Sequence, residues 1–198
     1  ALRVIECAGW DGGDFSTTGL PWVMPSPNMP TLDTARVYPG QVLLEGTTLS
    51  EGRGTTRPFE IFGAPGLKPE AALAALEPGA LAGAILRPLN FQPTFHKFTG
   101  QVCGGFQIHV TDPAAYRPVR ATLALLGAIN RAQPGLWGLR PPPYEYEHER
   151  RPLDLLLGDA GAVDMLVAGA TAEELEARWQ GDLAAWQKRR EGALLYPA

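Results

Sequence analysis

The chain has 198 residues, 45 % of them hydrophobic, with 23 glycines, 19 prolines and a formal net charge of −4. That composition supports a buried core and one domain with at most an appendage, crossed by long ordered Pro/Gly-rich loops. It excludes general nucleic-acid binding, because no Lys/Arg run neutralises several phosphates, and a membrane-spanning helix, which needs roughly 20 apolar residues.

Leu2–Ala8 is apolar and β-prone and predicts a strand ended by Gly9. The chain opens on this segment with neither an initiator Met nor a leader, as if something preceding it had been removed. Residues 10–30, with Trp10, Phe15 and Trp22 among Gly, Pro, Ser and Thr, predict a long loop, stiffened by Pro21, Pro25, Pro27 and Pro30. Thr31 is a candidate N-cap for a helix to Tyr38, which Pro39–Gly40 should interrupt. Gln41–Glu45 reads as a further helical turn or a strand. A polar loop follows from Gly46 to Pro58, then a short strand over Phe59–Phe62, closed by Gly63–Ala64–Pro65–Gly66.

Pro69–Leu76 predicts an Ala-rich helix. Ala84–Phe91 reads as a strand that Pro88 confines to a sheet edge or a bulge. Phe106, Ile108 and Val110 alternate with Gln107 and His109, the pattern of a half-buried strand. Thr111–Asp112–Pro113 is a helix start, with the helix running to about Arg131 and stopping at Gln133–Pro134–Gly135. Residues 134–152 form a second long loop. Leu153–Leu157 and Ala162–Ala168 predict short helices. Thr171–Ala172–Glu173–Glu174 is a capping box, and its helix carries Leu175, Trp179, Leu183 and Trp186 on one stripe. Lys188–Arg189–Arg190 sits in that helix's last turn, where the dipole favours cations. The expected class is α+β, a small sheet with helices packed on it.

Chemistry concentrates in residues 45–59. Glu45 and Glu51 supply two carboxylates, Arg53 and Arg57 two guanidinium groups, and Thr47, Thr48, Ser50, Thr55 and Thr56 hydroxyls. Gly46, Gly52 and Gly54 let backbone amides approach a ligand. Carboxylates and hydroxyls suit sugar hydroxyls, and Arg suits a carboxylate. A loop-bracing Glu51–Arg53 salt bridge is the plainer alternative. Two carboxylates also meet the requirement of glycoside hydrolysis for a proton donor and a base or nucleophile. Glu45 follows an apolar run and is expected to be the drier of the two.

Asn28, displayed between prolines, is a second candidate for substrate binding, with an Asx-turn as the competing explanation. His109 is a candidate for a sugar-facing position. Phe91, Phe95, Phe98 and Trp22 are candidates for a stacking platform. Cys103 would act as a nucleophile only with His96 or His109 as a base nearby; a buried structural thiol is the commoner outcome. Cys7 and Cys103 form no metal-ligand pattern and imply no disulfide. No metal and no cofactor is expected.

Gly19–Leu20–Pro21–Trp22–Val23, Pro25–Ser26–Pro27–Asn28–Met29–Pro30–Thr31–Leu32–Asp33–Thr34–Ala35, Tyr38–Pro39–Gly40 and the segment Glu45–Phe59 resemble, in the same order, the bacterial exo-β-N-acetylmuramidase (NamZ-like) family. Pro93–Thr94–Phe95, Cys103–Gly104–Gly105, Gln107–Ile108–His109–Val110–Thr111–Asp112 and Leu194–Leu195–Tyr196 extend the resemblance over nearly the whole chain. The resemblance implies a protein about twice this length, with a Rossmann-like N-terminal domain followed by a domain like this one. Residues 1–10 would then be the last strand or linker of the first domain, and 11–198 the C-terminal, substrate-side domain.

It further implies release of N-acetylmuramic acid from the non-reducing ends of peptidoglycan fragments, in the cell envelope or outside the cell. The family's Glu–His–Gly element, carried by the N-terminal half, is absent here, so this chain alone is expected to be inactive. The implied partners are a peptidoglycan-derived sugar and the N-terminal catalytic domain. Glu51 or Glu45 would assist that domain's acid or base. Asn28, Thr47, Ser50, Arg53, Thr55, Thr56 and His109 would contact substrate, with Arg53 on the lactyl carboxylate. The alternatives are a non-catalytic module that binds muropeptides or other carbohydrate, and a structural partner chain.

Overall fold

A computed structural model describes residues 1–196. In chain order the regular elements are α1 (Leu32–Gln41), β1 (Ile61–Ala64), α2 (Pro69–Ala74), β2 (Ala84–Phe91), β3 (Cys103–Val110), α3 (Pro118–Ala132), α4 (Pro152–Leu157), α5 (Ala160–Val167) and α6 (Ala172–Arg190). The three strands form one antiparallel sheet in the order β1-β3-β2. The class is α+β, as the patterning predicts. No helix among the described residues is long and apolar enough to cross a membrane.

Pro88 sits on an edge strand, opposite Phe106, where its missing N–H costs no ladder bond in the sheet's interior. β3 is central, and its residues from Cys103 to Ile108 are all buried rather than alternating. Register explains this. Phe106 and Ile108 share one face with Phe62 and Leu86, facing the main core, while Cys103 shares the other with Ile61 and Phe91 in a small second cluster.

The main core is built on α3, whose Leu123, Leu126 and Ile129 are almost wholly buried. Each contributes roughly 1.5–3 kcal/mol of transfer free energy. α1 crosses α3 closely: a Cβ on Gly40 would lie 2.0 Å from the Pro118 carbonyl oxygen. This packing accounts for a departure from expectation. Pro39–Gly40 does not interrupt α1, which runs through both residues to Gln41. The bond Pro39 forfeits lies near the helix end, and Gly40 is there for contact with α3. The Thr31 cap is as predicted, its hydroxyl accepting from the Thr34 amide at 3.2 Å.

Two other expectations are corrected. Asp112 caps only a turn, accepting from the amides of Ala114 and Ala115 at 3.0 and 3.3 Å. The helix begins instead at the second proline signal, with Pro118 in its first turn. Leu2–Ala8 is not a strand: it is exposed and pairs with no other described segment. A β-prone run without a ladder partner has no row of backbone bonds to hold it as a strand. This terminus meets the far end of the chain, where Trp10 packs edge-on against Tyr196 at 4.7 Å and the Cys7 amide donates to the Tyr196 hydroxyl at 2.6 Å.

α6 carries the predicted capping box at Thr171 and Glu174. Its apolar stripe is buried only at the start. Leu175 is inaccessible, whereas Leu183 and Trp186 are 39 % and 55 % exposed.

Candidate active site

The polar loop is not a surface excursion. Thr47, Leu49, Ser50, Glu51 and Phe59 are buried. The Ser50 amide donates to Gly63 O at 2.8 Å and the Gly63 amide returns to Ser50 O at 3.0 Å, so the loop is sewn to β1. Gly52 and Gly54 hold φ of +76° and +85°, and a Cβ at Gly54 would lie 2.6 Å from the Phe95 carbonyl oxygen. Only glycine accommodates both the left-handed backbone and that approach.

The second long loop is strapped against the first. The Thr48 amide donates to Gly138 O and the Arg140 amide to Gly46 O, each at 2.9 Å. The residues after β2 close the third side, with the Thr94 amide donating to Gly54 O at 2.9 Å. Between the three lies a cleft of about 350 Å³ lined by Glu45, Arg53, Phe95, His96, Arg140, Pro143, Tyr144 and Glu145. His96 and Glu145 on its rim, and Phe59 beneath Arg53, are non-glycine residues with positive φ of 71°, 51° and 64°. Strain of this kind collects at functional sites.

Charge is arranged in depth. The Glu51 side chain is fully buried below the cleft. Lys97 Nζ donates to Glu51 Oε2 at 2.8 Å and to the carbonyls of Leu44 and Leu49 at 2.9 and 2.8 Å. Glu51 Oε1 has Arg53 Nε at 3.3 Å and His96 Nδ1 at 3.1 Å, within ion-pairing distance. Neither N–H is aligned on it, so Oε1 is a buried acceptor with no hydrogen bond. Glu45, with its side chain 12 % exposed, binds Arg53 Nη2 through Oε1 at 2.6 Å and accepts from the Tyr144 hydroxyl through Oε2 at 2.7 Å. Glu51 is thus the drier carboxylate, the reverse of the order expected from the flanking sequence.

The environment fixes protonation. Burial first, then the Glu45 bond, raise the Tyr144 phenol, which remains a donor. Burial of the Arg53 guanidinium favours proton loss, but the hydrogen bond and charge of Glu45 outweigh it and the net shift is upward. Burial also lowers Lys97, against the support of Glu51.

Of the residues expected to touch substrate, only Arg53 reaches the cleft, together with the paired Glu45; Glu51 lies beneath. Thr47 and Thr55 donate their hydroxyls to Leu44 O and Gly52 O. Ser50 accepts from the Gly52 amide. Thr56 is exposed outside the cleft lining, and His109 lies on exposed β3 backbone beside Ile85. Asn28 sits in a turn over Ser26–Met29, away from the cleft. Among the candidate aromatics Phe95 alone lines it, 53 % exposed; Phe91 is buried, Phe98 packs on the core, and Trp22 pairs with Phe15. Cys103 is a free buried thiol, raised by burial, and not a nucleophile in this state. Lys97, Arg140 and Tyr144 were not singled out from the sequence. Arg140–Pro141–Pro142–Pro143–Tyr144, a rigid run presenting a cation and a phenol, was the signal for two of them.

Residues 36–196 match the family described as "Exo-beta-N-acetylmuramidase NamZ, C-terminal". The chain is 35 % identical over 196 residues to the peptidoglycan beta-N-acetylmuramidase NamZ of Bacillus subtilis (strain 168), covering 98 % of this chain and 45 % of that protein. It therefore spans about half the length of the curated relative it matches. Two crystal structures of DUF1343 family proteins from Bacteroides fragilis NCTC 9343 share the fold. One has a TM-score of 0.81 at 22 % identity, covering 96 % of this chain and 49 % of that one. The other has a TM-score of 0.60 at 24 % identity, covering 87 % and 43 %.

Proposed function

Since the chain belongs to the exo-β-N-acetylmuramidase NamZ C-terminal family, we propose that it is the substrate-side domain of an exo-acting glycoside hydrolase. The substrate is a peptidoglycan fragment, from whose non-reducing end N-acetylmuramic acid is released. The remaining domain, Rossmann-like and N-terminal to this one, supplies the main acid or base, and the two domains face each other across the cleft. The enzyme works on wall material in the envelope or outside the cell.

The observation that carries this reading is the cleft floor. Glu45 has both oxygens engaged, by Arg53 and Tyr144, and Glu51 is enclosed by Lys97, Arg53 and His96. Both carboxylates are already committed to partners within the cleft and its floor. They build a polar wall whose geometry is set before substrate arrives, while exposed Phe95 offers a ring face to a sugar. Glu45 and Glu51 therefore assist the chemistry by holding cations in place and do not initiate it.

The test is turnover of a chromogenic N-acetyl-β-muramide by this chain alone, by its N-terminal domain alone and by the two together. Hydrolysis only by the combination supports the reading. Hydrolysis by this chain alone sinks it. Binding without hydrolysis by the combination favours the alternative of a non-catalytic muropeptide-binding module.

A further inference from the structure

The cleft holds two guanidinium groups in different states. Arg53 is committed: Nη2 is paired with Glu45 at 2.6 Å, Nε faces Glu51 at 3.3 Å, and the group lies over the Phe59 ring at 5.1 Å. Arg140 is not. Its Nη1 donates to the main-chain oxygen of Glu45 at 3.1 Å, and its amide is fixed to Gly46 O. Among the described residues no carboxylate lies within ion-pairing distance of it, although Glu45 and Glu145 line the same cleft. Its Nε and Nη2 have no protein acceptor, and on this half-buried residue neither atom is fully enclosed, so that edge of the fork is free to bind.

We infer that Arg140 selects the sugar: its open Nε–Nη2 edge takes the lactyl carboxylate of N-acetylmuramic acid as a bidentate pair. This rests on the reading of the cleft as a muramoyl site. An anion needs a cation that is available as well as near: Arg53 already neutralises the Glu45 carboxylate, whereas Arg140 neutralises none. Arg140 is anchored at one nitrogen and at its backbone, so little side-chain freedom is lost when the second edge binds. The neighbouring charges favour it. Arg140 helps to depress Lys97, which places its positive field across the cleft floor. Of the other carboxylates at the cleft, Glu45 already accepts a bond on each oxygen, Glu51 lies beneath the surface, and exposed Glu145 is not paired with Arg140. Arg53 becomes the brace that keeps Glu45 from folding onto Arg140.

The experiment compares a 4-nitrophenyl N-acetyl-β-muramide with its lactyl carboxamide, which keeps the shape and loses the charge, in the full-length protein. Wild type should prefer the acid in kcat/KM by on the order of 100-fold, about what the loss of one hydrogen-bonded charge pair removes. Arg140→Met should bring that preference close to parity, and Arg140→Lys should retain a reduced preference, because an ammonium keeps the charge without the fork. If Arg140→Met fails to fold, Arg140→Lys decides: a preference undiminished from wild type overturns the assignment. An Arg140→Met protein that keeps the full preference also overturns it, as does a wild type that turns over both substrates equally. A wild type that cleaves neither compound contradicts the proposed function itself, a different failure.

Discussion

Lys97 and Glu51 form a buried ion pair, Nζ to Oε2 at 2.8 Å, whose ammonium group also serves two backbone carbonyls of the site's own loop. One cation therefore neutralises the buried carboxylate and holds the loop that carries it. Lys97→Met should destabilise the domain by about 3–5 kcal/mol, because it leaves a buried charge unpaired. Lys97→Met with Glu51→Gln should recover part of that loss. Urea denaturation of the single and double variants measures it; strictly additive losses would show that the pair is not coupled.

Gly54 is where the floor and the Phe95–His96 rim touch. Gly54→Ala puts a Cβ at φ +85° and within 2.6 Å of the Phe95 carbonyl. A loss of at least about 1 kcal/mol is expected from the backbone term alone. The rim must also move, so binding to the cleft should weaken beyond what stability predicts. A thermal melt and a ligand titration on one sample separate the two effects. An unchanged melting temperature would mean that the loop and rim are not in contact.

Tyr144 gives a pH signature. Its phenol is raised above the ordinary value of 10.0, by burial and by Glu45. The neutral form is favoured in the folded state, so the stabilisation is fully present below pH 10 and disappears as pH rises through the raised value. Tyr144→Phe should flatten the alkaline limb of the stability curve and remove one late-ionising group from the 295 nm titration. The Tyr116 phenol, raised by burial alone, should remain late in both proteins. A Tyr144 that ionises at pH 10 would break the claimed bond to Glu45.

The two thiols differ in access. Cys7 is exposed and Cys103 buried, so a thiol reagent should modify one group in the native protein and two in denaturant. Rapid native modification of Cys103 would reopen a nucleophilic role for it.

The parts of the fold written in local chemistry were legible in the sequence. The capping box at Thr171, the Thr31 cap, the edge position forced by Pro88 and the stop at Gln133 all act within a few residues of themselves. What failed depended on distant partners. Pro39–Gly40 lies inside a helix because Pro118 packs there. Leu2–Ala8 has β propensity and no ladder to join. Glu45 and Arg53 emerged as candidates because they share one polar loop. Arg140 and Tyr144 stayed hidden because their meaning comes from the backbone bonds that bring residue 140 against residue 46. Loop hydroxyls misled for a related reason: a buried Ser or Thr in a tight loop spends its hydroxyl on nearby backbone.

The most direct measurement is a chemical-shift map of the isotopically labelled chain titrated with N-acetylmuramic acid. The account predicts perturbations centred on Phe95, His96, Arg140 and Tyr144, diminished for N-acetylglucosamine, which lacks the lactyl carboxylate. Perturbations centred instead on the cleft beside Tyr116 and Trp179, or on the Cys7–Leu20 segment, would contradict it.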